Sequence, residues 1–193
     1  GEWVLRTACA EAASWTNDIR VAVNVSPVQL HASNFAQLVH EVLLETGLKP
    51  HRLELEITET ALIRDFDRAL ATLRQLKALG VRIAMDDFGT GYSSLSNLRA
   101  FPFDKIKIDG SFVRSVDSNE QAATIVRAVI GLGQGLGLPV LAEGVETEGE
   151  LEFLKGLLCS EVQGYIVGRP GAISAFQDAI GKPMPYEPRE AVA

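Results

Sequence analysis

Apolar and polar positions along the chain follow two alternating rhythms. Short runs of period two, rich in β-branched residues, are separated by longer runs in which apolar residues recur at i, i+3, i+4 and i+7. The short runs predict strands at Arg20–Val25, Leu53–Ile57, Val81–Asp86, Asp104–Asp109, Pro139–Glu143 and Glu161–Val167. The long runs predict helices. Phe35, Leu38, Val39, Val42 and Leu43 form one stripe, Phe66, Ala69, Leu70 and Leu73 a second, and Ala122, Ile125, Val126, Val129 and Ile130 a third. Gly80 stops the second helix and Val81 opens the next strand. The stretch Gly131 to Gly135 reads as the ending segment of the third. Strands alternating with helices of this length mean βαβ units and a parallel sheet.

Two architectures fit six such strands: an open doubly wound sheet, or an eight-stranded barrel lacking about two strands. Strand parity favours the barrel. One face is aliphatic, through Val21, Val23 and Val25, Leu53, Leu55 and Ile57, Val81, Ile83 and Met85, and Ile106 and Ile108. The other carries Arg20, Ala22 and Asn24, Glu54 and Glu56, Arg82, Ala84 and Asp86, and Lys105, Lys107 and Asp109. An open sheet covered by helices on both sides needs two apolar faces. A barrel with helices outside and a charged interior needs only one. The expected fold is therefore α/β, a modified TIM (β/α)8-type barrel without its first two strands. The chain opens within a helical pattern at Gly1-Glu2-Trp3, so those strands are expected upstream. One N-terminally truncated domain is expected over residues 1–181, followed by a Pro-rich exit tail, 182–193.

Composition narrows the function. The 193 residues are 47% hydrophobic and 22% charged, enough for a buried core. The net charge of −7 argues against a polymeric nucleic acid as partner. No apolar run reaches the length of a membrane span, and Cys9 and Cys159 give no disulfide framework. A cytoplasmic domain is expected, in a parent that other segments can anchor to a membrane.

Each predicted strand ends in a polar residue: Asn24, Glu56, Asp86 with Asp87, Lys107 with Asp109, Glu143, and Gln163. In a (β/α) barrel these ends converge on the mouth where catalysis occurs. Parity puts Asn24, Glu56, Asp86, Lys107, Glu143 and Gln163 on the inner face. Asp87 has the opposite parity and joins them only if its strand has already turned into the following loop. Carboxylates crowded into one mouth repel, so either their pKa values rise or cations bind. An all-oxygen donor set suits hard cations, Mg²⁺ or Mn²⁺. The tandem Asp86-Asp87 can bridge two ions, the arrangement that serves phosphodiester hydrolysis.

Six segments occur in order: Asn24-Val25-Ser26-Pro27, Glu54 to Glu59, Asp86 to Leu95, Lys105 to Asp109, Ala142 to Thr147, and Gln163-Gly164-Tyr165. Together they resemble the EAL family of cyclic di-GMP phosphodiesterases, from Gly1 to about Phe176. The resemblance implies a modified TIM barrel in which two divalent metals activate a water that opens cyclic di-GMP to linear pGpG. Carried over by position, Asn24, Glu56, Asp86 and Asp87 resemble metal ligands. Glu143 resembles a further carboxylate of the metal and water site and a candidate general base. Lys107 resembles the lysine that contacts the attacking water, and Gln163 an outer member of the site. Glu59 resembles the glutamate that anchors the loop Phe88–Ser94, which leads to the family's dimer surface. Asp109 and Glu146 are expected to support the site or touch substrate. A homodimer is implied, and a parent fused to GGDEF-type or sensory domains fits.

The chain departs from the family in lacking the Glu-Ala-Leu motif, which is expected upstream with the arginine that helps hold substrate. Leu158-Cys159-Ser160 replaces the usual Gly-Cys-Asp, and Gly171-Ala172 the common Leu-Pro. A degenerate EAL domain that binds the dinucleotide without hydrolysing it is the alternative; the intact Asp-Asp segment favours the enzyme. An unrelated sugar-phosphate barrel would need a glycine loop near the last strands, where Gly164 and Gly168 are too sparse. Asp87-Phe88-Gly89 lacks the other kinase motifs, and the Gly131–Gly135 stretch fails the dinucleotide pattern. His31, His40 and His51 lack metal spacing, and both cysteines read as small packing residues.

Overall fold

Leu53, Leu55 and Ile57 alternate with Glu54 and Glu56, and this alternation decides how the sheet is covered. In the computed structural model, which describes residues 1–63, 65–90 and 95–181, both sets are buried, but on opposite sides. The aliphatic set joins the core and the carboxylates line an ionic interior. The strands are β1 (Val21–Val25), β2 (Leu53–Thr58), β3 (Arg82–Phe88), β4 (Lys105–Ile108), β5 (Val140–Ala142) and β6 (Glu161–Val162). They pair in parallel in the order β1-β2-β3-β4-β5-β6. A doubly wound sheet would reverse direction at a switch point. This one never does, and side chains of β2, β4 and β6 meet on the inner face, as in a barrel wall.

Helices fill the connections: α1 (Glu2–Ala13), α2 (Pro27–Leu30), α3 (Phe35–Thr46), α4 (Glu59–Ile63), α5 (Phe66–Ala78), α6 (Leu95–Ala100), α7 (Gly110–Val113), α8 (Glu120–Leu136), α9 (Glu148–Gly156) and α10 (Gln177–Ile180). Their inner faces supply Val39, Val42, Leu73, Leu76, Val126 and Ile130 to one core with Leu55, Ile83, Met85, Ile106 and Ile108. Side-chain caps mark the starts, from Ser26, Asp65, Asn119 and Thr147. Among the described residues no helix is long and apolar enough to cross a membrane. The tail 182–193 and residues 91–94 of the Phe88–Ser94 loop lie outside the described residues.

The last predicted strand, Glu161–Val167, is only Glu161–Val162. Gly164 leaves the ladder because its backbone sits against Val145, and Gly168 then bonds back to the Gly164 carbonyl at 3.2 Å. The Gly131–Gly135 stretch lies inside α8, which stops at Gly137 in the left-handed conformation. Gly133 is required there, since a Cβ would fall 2.2 Å from Val140 Cγ2. Gly131 and Gly135 would meet nothing within 4 Å. Gly131→Ala and Gly135→Ala should each stabilise the protein by about 0.5–1 kcal/mol, whereas Gly133→Ala should destabilise it. Urea unfolding of the three variants checks this.

Candidate metal centre

Lys105 and Lys107 lie two residues apart on β4, so both point into the interior. Lys107 is 3% exposed, and its ammonium lies 2.8 Å from Glu56 Oε1, 2.9 Å from Asp86 Oδ1 and 2.6 Å from Glu143 Oε1. Its three hydrogens thus meet carboxylates from β2, β3 and the end of β5. Burial works against the charge, but the bonds to Glu143, Glu56 and Asp86 outweigh it and hold Lys107 above the ordinary lysine pKa.

The register of β3 explains the tandem aspartates. Met85 pairs with Ile106 and Phe88 with Ile108, leaving Asp86 and Asp87 both opposite Lys107. This is a β-bulge, and Asp87 takes the left-handed conformation, φ +53°. Parity alone required the strand to have ended before Asp87 could turn inward. The strand instead runs on to Phe88, and the bulge brings the second carboxylate round. Ligand atoms of Asp86, Asp87 and Glu143 lie within 4.8 Å of one another. Burial raises the Asp87 carboxyl above its ordinary pKa, with Asp86 and Asp109 adding to the effect and Lys107 opposing it. Burial also raises Glu143; Lys107 opposes, and Asp86 and Glu56 add. Oxygen donors of this kind, crowded until their charges oppose one another, fit a hard divalent cation.

The other sequence-predicted residues surround this cluster. Asn24 sits in register beside Glu56 on β1, exposed. Gln163 is exposed and lines a cavity of about 520 Å³ together with Glu56. Glu59 is 2% exposed and outside the cluster; it accepts the Gly89 N–H at 3.3 Å, just beyond the Asp86-Asp87 bulge. Asp109 caps α7, accepting from Ser111 N at 3.0 Å. Glu146 is exposed, and only its backbone joins the network described below.

Two features went unassigned in the sequence. A second ionic layer lies one step deeper: Lys105 to Glu54 at 3.1 Å, Lys105 to Glu161 at 2.7 Å and Arg82 to Glu54 at 3.7 Å. Its signal was the shared parity of Glu54, Arg82 and Lys105, read as facing inward but given no part. The second is Glu150, a buried carboxylate: its spacing from Thr147 is that of a capping box, but its bond to the Ser115 amide leaves no pattern to read.

The loop after β5 is clamped on both sides. A Cβ on Gly144 would lie 3.2 Å from Gly110 Cα, and one on Gly164 only 2.1 Å from the Val145 carbonyl oxygen. Val145 also donates to the Gln163 carbonyl at 3.1 Å and accepts from Ile166 N at 3.1 Å. Gly164→Ala should therefore force β6 away from the loop and cost about 3 kcal/mol. Thermal unfolding reads that loss, and a melting temperature equal to wild type would contradict the clamp.

The sequence model of the EAL domain matches residues 1–170. An uncharacterized signaling protein of Caulobacter vibrioides is 63% identical over 176 residues, 91% of this chain and 22% of that protein. MucR of Pseudomonas aeruginosa, named a bifunctional diguanylate cyclase/cyclic di-GMP phosphodiesterase, is 44% identical over 174 residues, 88% of this chain and 25% of that protein. The MucR phosphodiesterase in complex with c-di-GMP matches with a TM-score of 0.88 at 42% identity, over 91% of this chain and 73% of that one. BlrP1 of Klebsiella pneumoniae, in a manganese/cy-diGMP complex, matches with a TM-score of 0.79 at 34% identity, over 88% of this chain and 44% of that one. The chain thus spans about a quarter or less of the length of these curated relatives.

Proposed function

Because the chain belongs to the EAL domain family, we propose that its intact parent hydrolyses cyclic di-GMP to linear pGpG with two divalent cations, Mg²⁺ or Mn²⁺, and that these 193 residues alone turn it over very weakly or not at all. The observation that carries this reading is the bulge that sets Asp86 and Asp87 side by side against Glu143, around the buried Lys107. Asp86, Asp87, Glu56, Glu143 and Asn24 are the residues that would hold the ions. Four of them are carboxylates, against the single ammonium of Lys107. When bound, such ions supply an activated water at neutral pH and neutralise charge on the phosphodiester.

The chain's own groups do the rest. Lys107, whose three hydrogens meet Glu56, Asp86 and Glu143, keeps its charge, and a hydrogen released when one of those carboxylates turns to an ion would hold the attacking oxygen. Glu143, with its raised pKa, accepts the proton that water releases as it adds to phosphorus; the ester P–O bond breaks and the departing ester oxygen takes a proton from solvent to leave as a hydroxyl. Gln163 acts at the edge of the site, and Asp109 and Glu146 support it or meet the substrate. Ca²⁺, which takes more ligands at longer distances, would hold the two-ion geometry loosely and give little turnover.

Glu59 acts at one remove. It holds the Gly89 amide and so the turn that follows Asp87. Glu59→Ala should lower kcat about tenfold or more with little change in Mn²⁺ affinity. A homodimer whose interface lies beside the Phe88–Ser94 loop and the helix after Lys107 fits this placement. A fully active monomer by light scattering would refute it.

The test is product analysis with the purified intact parent protein, cyclic di-GMP and either Mg²⁺ or Mn²⁺. Linear pGpG that disappears in EDTA supports the proposal. Turnover that persists in EDTA contradicts the metal assignment. Binding without turnover makes the domain a non-catalytic receptor for the dinucleotide.

A further inference from the structure

Glu150 is 5% exposed, and among the described residues its carboxylate meets no cation; three backbone amides converge on it instead. Its Oε2 accepts from Glu146 N at 2.8 Å and Thr147 N at 3.1 Å, and its Oε1 accepts from Ser115 N at 3.2 Å. Part of this is helix capping. Thr147 caps α9, accepting from Glu150 N at 3.2 Å, and the Glu150 side chain returns to Thr147 N. The cap uses only Oε2. The bond from Oε1 reaches a different connection, the one leading out of α7, and capping gives no reason for it.

We infer that Glu150 is a positioning residue of the metal centre, tying the loop that carries Glu143 to the turn that carries Asp109 and Gly110. The inference rests on the proposed role of Glu143 and extends it. Ser115, at the far end of the tie, is held in the left-handed conformation at φ +67°, which a non-glycine residue adopts only under restraint. Between Ser115 and the site runs α7, whose first residue, Gly110, lies against Gly144, the neighbour of Glu143. Phe112 of the same helix packs on Gly89, where a Cβ would lie 3.2 Å from the ring. One carboxylate therefore couples the segments that carry Asp87, Asp109 and Glu143. The charge is favoured where it stands. Burial pushes the Glu150 carboxyl up, but the amides of Glu146, Thr147 and Ser115 outweigh this and leave it below the ordinary glutamate range.

Glu150→Gln separates the cap from the tie. The amide oxygen can take over Oε2 and serve Glu146 and Thr147, as glutamine does in capping boxes. The amide nitrogen then faces the Ser115 N–H, donor against donor. Mn²⁺ affinity and backbone amide exchange are measured on the full chain, with Leu76→Ala, in the core under α5, as a destabilised control. The expected result for Glu150→Gln is about tenfold weaker Mn²⁺ binding and about tenfold faster exchange at Ser115 and Gly144. Exchange at Thr147 should match wild type. Leu76→Ala should leave Mn²⁺ affinity unchanged despite its lower stability. Wild-type exchange at Ser115 and Gly144 in Glu150→Gln overturns the tie, as does wild-type Mn²⁺ affinity in a protein that binds the ion. If the unmutated chain binds no Mn²⁺, the reading of the metal centre falls, and the exchange data alone decide the tie.

Discussion

Asp86→Asn should lower kcat about a thousandfold or more, while Gln163→Ala should cost about tenfold. The contrast comes from position. Asp86 lies at the bulge, bonded to Lys107 at 2.9 Å, with ligand atoms of Asp87 and Glu143 within 4.8 Å. Asparagine keeps the shape but removes a negative charge from the carboxylate set that would hold the ions. Gln163 stands at the rim, exposed, with its backbone rather than its side chain bonded into the sheet. Steady-state kinetics at saturating Mn²⁺ separate the two. Equal losses would mean that Asp86 does not bridge ions, or that Gln163 is closer to the chemistry than its placement allows.

Lys107→Met should destabilise the metal-free protein by about 3–5 kcal/mol at neutral pH. Methionine fills a similar volume, so the loss reports charge rather than packing. Removing the ammonium leaves the buried Glu56 and Asp86 and the half-buried Glu143 together without the cation they share. The Glu143 carboxyl, which burial raises and Lys107 holds down, then rises further above its unfolded value. The destabilisation is therefore largest above that raised value and fades as pH falls toward the ordinary carboxylate range. Mn²⁺ should restore part of the stability, since a divalent ion bound only by the folded state stabilises by mass action. Thermal unfolding at two pH values, with and without Mn²⁺, reads all three effects. A variant as stable as wild type at neutral pH would show that the carboxylates do not depend on Lys107.

Much of this arrangement was legible in the sequence, for reasons that can be named. The alternation of Leu53, Leu55 and Ile57 with Glu54 and Glu56 fixed a sheet with one apolar face, and that asymmetry excluded a sheet covered by helices on both sides. The same parity put Glu56, Asp86, Lys107 and Glu143 on one inner surface, where the structure brings them together. Strand parity cannot register an extra residue, so the inward turn of Asp87 needed the bulge and its left-handed backbone to be seen. The length of β6 was overestimated because Tyr165, Ile166 and Val167 have strand-like side chains. The contact of Gly164 with Val145 decides the outcome there, and it is long-range. Glu150 has capping-box spacing from Thr147, which shows one of its oxygens; only the fold shows that the second reaches Ser115.

The most direct test of the central claim is conversion of cyclic di-GMP by the purified full-length protein in Mn²⁺, followed by product identity. The account predicts linear pGpG as the product, formation abolished by EDTA and restored by excess Mn²⁺, and loss of that activity in Asp86→Asn. Equal turnover in the presence of EDTA, or full activity in Asp86→Asn, would contradict it.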